Sequence, residues 1–489
     1  MRYIISIMIG MLMIMTGYSA ILTVPSPYTN IQHALNFAVP GDTILPDAGT
    51  YTTALVTKTN GTSENPIILD GRNGVIVNKI DIRHAHHHII NMTFEGPVTS
   101  FQSLVLMNHG GHYTIFSNNV VDLKMIGRNY GINWQTPAVR PFGLGEASSH
   151  NLIISNTLKN SLGYIFMSIM GDSNVVHGNT ITNGPSSDAF RLFGRNSIIR
   201  GNIVVNHPYQ SGLGNHPDFI QTFGNNGYAS SGHIIEQNFV SGIEGGQITQ
   251  LEGNLLPDTG NWIFRNNIFK NIALGASCTI PGIKYINNTF INCNYLNGGH
   301  VLTFSKRVYG PQSVFSGESG TNYAHNIVLL NNIFANSGGT TYTNRGWYGF
   351  DLALTNLTAD YNYVGKNGFL AVKSDPQQRV IGGTNGWSTF DWYEPHGING
   401  GNPNFVDYDG GNYRLTTNSI LVNDTGIDAS EYVQNDYDYV SRPQGSGWSI
   451  GAFEYVTGSD PDPEPEPEPE PPVILPKRIF TGTLRIISP

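Results

Sequence analysis

A short phrase recurs along the chain: two apolar residues, a polar residue, Asn, and a return to apolar residues. It reads IINMTF, TIFSNNVV, LIISNTL, VVHGNTI, IIRGNIV, IIEQNFV, IFRNNIF, YINNTFI, VLLNNIF and ADYNYV. Its Asn residues fall at Asn91, Asn119, Asn156, Asn179, Asn202, Asn238, Asn267, Asn288, Asn332 and Asn362. The tightest steps are 23 residues (156 to 179, and 179 to 202) and 21 residues (267 to 288), a period that suits one coil of a β-solenoid. Longer steps keep the phrase and add Gly-, Pro- and Tyr-rich residues, which reads as loops inserted at a coil corner. Asn suits such a corner because it tolerates left-handed backbone geometry and because stacked amides hydrogen-bond from coil to coil.

A second register precedes each phrase: YIFMSIM from Tyr164, DAFRLFG from Asp188, DFIQTFG from Asp218, QITQLEG from Gln247, ASCTIPG from Ala276 and HVLTFSK from His300. From Asp188 onward, the third and fifth positions are predominantly apolar and alternate inward with the two-residue period of a strand. The fourth position then faces out and reads Arg191, Gln221, Gln250, Thr279 and Thr303, while the sixth reads Phe193, Phe223, Glu252, Pro281 and Ser305. Strands stacked roughly 4.8 Å apart would present this row to successive units of one linear polymer.

The ends need covers, since an open coil exposes strand edges and apolar core. Ile31, Ala34, Leu35 and Ala38 share one helical face before Pro40-Gly41-Asp42, so a short N-terminal capping helix is expected. Residues from about 400 to 456 lose the Asn ruler and are expected to form a C-terminal β cap. The Glu-Pro repeats of 457–473 read as an acidic, extended linker, followed by a short tail, 474–489. Residues 1–20 have the layout of a secretory signal peptide, which leaves 21–456 as a single solenoid domain and implies a secreted or cell-surface protein.

Composition narrows the partners. Charged residues are 12% of the 489, with 35 Asp+Glu against 26 Lys+Arg, so the basic footprint of a nucleic-acid binder is missing. No later stretch is long and apolar enough for a transmembrane helix, and a monomer is expected. Cys278 and Cys293 could pair after export or remain as two buried thiols.

The segments IQHALNFAVPGDTILPDAGTY and NPIILDGRNGVIV, together with the Asn-punctuated coils, resemble the pectate-lyase-like superfamily of secreted β-helix proteins. The closing NPNFVDYDGGNYRLTTNSILVNDTG and RPQGSGWSIGAFEY are similar to the terminal segment of many secreted bacterial β-helix proteins. The resemblance spans roughly residues 22 to 456. It implies an all-β, single-stranded, right-handed parallel β-helix with end caps and a polysaccharide substrate. It leaves the reaction open, because this scaffold hosts lyases, hydrolases, epimerases and non-catalytic proteins.

Candidate chemistry gathers on the strands at 188, 218 and 247. Asp188 and Asp218 begin adjacent strands, so their carboxylates would lie roughly 5 Å apart. Such a pair binds a cation such as Ca²⁺, shares a proton, is separated by the nearby Arg191, or simply caps turns. His216 is the proton-transfer candidate, because an unperturbed histidine titrates near neutrality. Asp188, Arg191, His216 and Asp218 are therefore the catalytic candidates, with Asp188 and Asp218 as metal ligands if Ca²⁺ is used. Gln221, Gln247, Gln250, Phe193, Phe223 and Lys306 are the substrate-binding candidates. The expected activity is cleavage of a uronate-containing polysaccharide by β-elimination, with a glycoside hydrolase or a non-catalytic carbohydrate-binding solenoid as alternatives. The cluster Arg83 to His88 reads as a solvated corner.

Overall fold

The computed structural model describes residues 19–95, 103–107, 110–125, 130–133, 148–162, 165–211, 217–223, 230–252, 259–296, 301–304, 306–309, 320–335, 346–350, 356–365, 369–373, 394–399, 402–421 and 425–456. Residues 1–18 and 457–489, which carry most of the expected signal peptide and the linker and tail, lie outside them. The chain is a right-handed parallel β-helix. Among the described residues twelve short strands stack in one wall, from Leu55–Val56 to Phe369–Lys373, and the strands of the remaining two walls join into one 24-stranded sheet. The pairing between successive coils in all three walls is parallel. Inward residues of every wall meet in one apolar interior that runs from Leu22 through Phe116, Ile199 and Phe264 to Val364.

The corner between the two joined walls divides between neighbouring residues what the Asn ruler assigned to one. The left-handed residue comes first: Asn91 (φ 59), Asn118 (55), Ser155 (55), Gln237 (56), Asn266 (52), Asn287 (54) and Asn331 (56). The next residue carries the ladder. Asn119, Asn156, Asn179, Asn202, Asn238, Asn267, Asn288, Asn332 and Asn362 are buried. Each accepts the main-chain N–H of its counterpart in the preceding coil, as in Asn156 N to Asn179 Oδ1 at 2.9 Å and Asn179 N to Asn202 Oδ1 at 2.9 Å. In the first of these coils Asn91 occupies the left-handed position and Met92 the rung, with Met92 N donating to Asn119 Oδ1 at 3.0 Å. The ruler is therefore displaced by one residue there. At the far end Glu394 closes the ladder, accepting Asn362 N at 3.0 Å and Asn362 Nδ2 at 2.9 Å. A second ladder at another corner runs Thr114, Asn151, Asn174, Ser197 and His233, the last accepting Ser197 N through Nδ1 at 3.1 Å.

The helix α1, Ile31–Phe37, starts at Asn30, whose side chain accepts His33 N at 2.8 Å; its buried residues Ile31, Ala34 and Leu35 join the solenoid interior. The C-terminal segment, expected as an end cap, lies along the flank of the coils. Tyr413, Leu415, Leu421, Ile450, Ala452 and Phe453 pack on Ile268, Ile291, Ile333 and Tyr363 as a second core. Gln237, Arg265, Asn266, Asn287 and Asn331 donate to its carbonyls. Within it, Arg442 and Glu454 form an ion pair at 2.8 Å with both side chains buried. One outward position announces this packing, changing from Thr157 and Thr180 in early coils to Ile268 and Ile333 where the segment lies.

The His cluster is not uniformly solvated. The strand alternation beginning at His87 turns its ring inward, Nδ1 sits 3.1 Å from His84 O, and burial lowers its pKa to about 4. Cys278 and Cys293 are separate buried thiols.

Candidate functional site

The outward row lies on the twelve-stranded wall. Its register runs Ser168, Arg191, Gln221, Gln250, Ser277 and Thr303 on successive coils. The expected Thr279 is replaced by Ser277, because the strand Ala276–Cys278 pairs Cys278 with Leu251 and with Phe304, two residues from the assumed alignment. Thr279 is buried, its amide bonded to Leu251 O at 2.9 Å.

Arg191 is the positive charge of the row. Its side chain is 15% exposed, its Nε lies 2.8 Å from Asp188 Oδ2, and its guanidinium carbon sits 5.6 Å from the centre of the Phe223 ring. Beside it Gln221 Nε2 donates to Gln250 Oε1 at 3.0 Å, and Gln250 Nε2 donates to Glu252 Oε1 at 2.8 Å. The amides are thus oriented as a relay, and Gln221 Oε1 is a buried acceptor with no hydrogen-bond partner among the described residues. A buried acceptor without a donor costs free energy of about 1–3 kcal/mol. Glu252, outward two residues beyond Gln250, supplies a carboxylate to the strip that the sequence reading placed in the row without giving it a role.

Asp188 and Asp218 are aligned on neighbouring coils, since Phe190 pairs with Ile220. Both are buried and both serve backbone amides of the next coil: Asp218 N donates to Asp188 Oδ1 at 3.1 Å, and Gln247 N to Asp218 Oδ1 at 2.9 Å. The half-buried Gln247 thus continues this corner ladder. These bonds hold Asp188, and through it Arg191, in place. Ca²⁺ requires six to eight oxygen ligands. One Asp188 oxygen is held by a backbone amide and the other by a guanidinium, so the two carboxylates alone do not supply that ligand set. Among the described residues no group of three or more His, Cys, Asp or Glu side chains converges to hold a metal.

Phe193 corrects the aromatic part of the expectation. The strand Asp188–Leu192 ends before it, so the outward alternation stops and Phe193 is fully buried. Its ring packs edge-on against Phe223 at 5.2 Å and 83°; Phe223 is half-buried and is the aromatic surface next to Arg191. His216 lies outside the described residues. Lys306 lies in Lys306–Tyr309, which pairs antiparallel with Gly320–Tyr323, so its backbone belongs to a hairpin that leaves the regular coil; its side chain lies outside the described set.

The structure brings together Asp188, Arg191, Asp218, Gln221, Phe223, Gln247 and Gln250, and adds Glu252. No protein-family model matches the sequence, and no curated protein matches it. Solved structures do. The complex of XylC with xylose aligns with a TM-score of 0.52 and 10% identity over 90% of this chain and 98% of that one. Pectate lyase Pel9A aligns over 89% and 96% at 15% identity with a TM-score of 0.39. The A-module of the Azotobacter vinelandii mannuronan C-5 epimerase AlgE4 aligns over 74% and 91% at 12% identity with a TM-score of 0.42. At these identities the likeness shows the fold alone, a parallel β-helix.

Proposed function

We propose that this is an extracellular polysaccharide-active protein whose outward strip binds a uronate-containing chain and cleaves it by β-elimination. The observation that carries the reading is Arg191, pinned by Asp188, in register with Gln221 and Gln250, with Glu252 two residues beyond Gln250. A guanidinium recognises a sugar carboxylate through paired hydrogen bonds, and rigid neutral amides suit hydroxyls one strand spacing away. Neutralising the carboxylate acidifies the C5 proton. A base takes that proton, the C4–O bond breaks, the leaving oxygen gains a proton, and a C4=C5 double bond remains.

Arg191 supplies the positive charge for which a cation would otherwise be needed, so no step passes through Ca²⁺. His216 is the base this reading assigns. Because Asp188 and Asp218 each hold a backbone amide, they are poorly placed as the free acid and base of a hydrolase. That commitment also favours a second reading, a carbohydrate-binding solenoid without turnover. Incubation with pectate, alginate and chondroitin distinguishes these readings. Ultraviolet absorbance of an unsaturated uronate supports elimination. New reducing ends without absorbance mean hydrolysis, and saturable binding without products means the binding solenoid.

A further inference from the structure

A cavity of about 530 Å³ lies between the last coils and the C-terminal hairpin, walled on the solenoid side by Ala335, Tyr363 and Gly365. It belongs to neither the outward strip nor the interior core. Phe405 and Tyr408, from the hairpin, line it with nearly parallel rings, 22° apart with centroids 6.2 Å from each other. Both rings are fixed by the buried Tyr413, which meets them edge-on at 80°, at 5.4 Å and 6.1 Å. These aromatic surfaces are therefore rigid before any ligand arrives.

Among the described residues the polar lining is neutral: Asn402, Asn404, Thr416 and Asn418. Part of it is engaged in holding the hairpin. Asn402 Oδ1 accepts Asn404 N at 2.9 Å, Asn404 Nδ2 donates to Asn418 O at 2.7 Å, and Thr416 Oγ1 donates to Asn404 O at 2.9 Å. The Nδ2 of Asn402, the Oδ1 of Asn404 and the side-chain amide of Asn418 take no part in those bonds. Asn402 and Asn418 are exposed at the mouth.

We propose that this cavity is a second carbohydrate site, specific for neutral pyranose units. Its volume falls in the range of small-molecule sites, about 300–1,000 Å³, and its lining has their composition, aromatic surface with a few placed polar groups. Amide donors and acceptors match hydroxyls, tyrosine and phenylalanine rings match the apolar face of a pyranose, and among the described residues no lining side chain carries a charge to match a carboxylate. The site would anchor the protein on a neutral polymer independently of what the Arg191 strip does.

Isothermal titration of the secreted protein tests this with cellohexaose, xylohexaose and mannohexaose, run beside oligogalacturonate and oligomannuronate. At least one neutral hexasaccharide is expected to saturate. Tyr408→Ala is expected to weaken it about tenfold or more, Asn418→Ala several-fold, and Arg191→Ala not at all. Asn418 is exposed, so its variant decides the matter if Tyr408→Ala fails to fold. The proposal is overturned if no neutral hexasaccharide saturates, if binding ignores both cavity variants, or if Arg191→Ala removes it.

Discussion

Acidification should destabilise this protein steeply between pH 6.5 and 4, through three histidines that the fold buries as neutral rings. His87, His207 and His233 have pKa values lowered to about 4, about 4 and about 3, in each case chiefly by desolvation. His207 Nδ1 lies 3.0 Å from Ser187 O, and its Nε2 is buried without a hydrogen-bond partner among the described residues. His233 accepts Ser197 N and packs edge-on to Trp262 at 4.6 Å. A protonated His233 could not accept that bond.

The unfolded chain titrates near about 6.5 and so takes up these protons first. Stability conferred by the depressed values is present above that pH and is lost as pH falls toward the folded values. At pH 5 each histidine has lost roughly 1.5 pH units of linkage, about 2 kcal/mol, or about 6 kcal/mol for the three. Glu454 and Asp436 act in the opposite sense: burial raises their pKa values, so protonation favours the fold and offsets part of the loss. A loss of several kcal/mol is large against a typical total of about 5–15 kcal/mol. Urea midpoints followed by circular dichroism at pH 8, 6.5, 5.5 and 5 measure it. His233→Asn puts into the ladder the residue type that fills it at Asn151 and Asn174, and should reduce the pH dependence by about a third. Midpoints that stay flat from pH 8 to 5, or an unchanged slope in His233→Asn, would refute the reasoning.

The ladder gives a second test. Asn202 accepts Asn179 N at 2.9 Å and Asn179 Nδ2 at 3.0 Å and donates to Val176 O and Asn238 Oδ1, both at 3.0 Å. Asn202→Leu leaves several of these groups buried and unpaired, so a loss of about 3–6 kcal/mol is expected in chemical denaturation. Amide exchange should accelerate first in the coils on either side. In the strip, Arg191→Ala is expected to cost about 1.5–3 kcal/mol of transition-state or binding free energy, about tenfold to more than a hundredfold. Arg191→Lys should restore little of it, since the paired geometry is lost; full activity in Arg191→Ala would remove this residue from the site. Dialysis against a chelator is expected to leave turnover on uronate polymers unchanged, and recovery only on adding Ca²⁺ would show that the cation is held after all.

Legibility in the sequence followed how local each cause is. The coil repeat was legible because a parallel solenoid imposes the same inward and outward alternation on every turn, as in Phe190 and Leu192 beside Ile220. The outward row followed from the same parity, and the alignment of Asp188 with Asp218 from the shared strand start. Parity alone does not count residues at a corner, which is why Thr279 stood for Ser277 and why Phe193 was placed outside after its strand had ended. The ladder was seen, yet its division between a left-handed residue and a buried amide was not, because both positions favour Asn.

The sequence by itself determined the repeat, the stacking of the strands and the polar face, all consequences of near-neighbour periodicity. Only the tertiary structure decided the partners that come from distant parts of the chain. Glu394 closes the ladder begun at Asn119, and the 425–456 segment buries Ile268 and Ile333 some 100 or more residues back along the chain. Burial likewise turned His87, His207 and His233 into neutral acceptors or core rings. Desolvation and long-range packing depend on what surrounds a side chain, and a linear pattern does not carry that information.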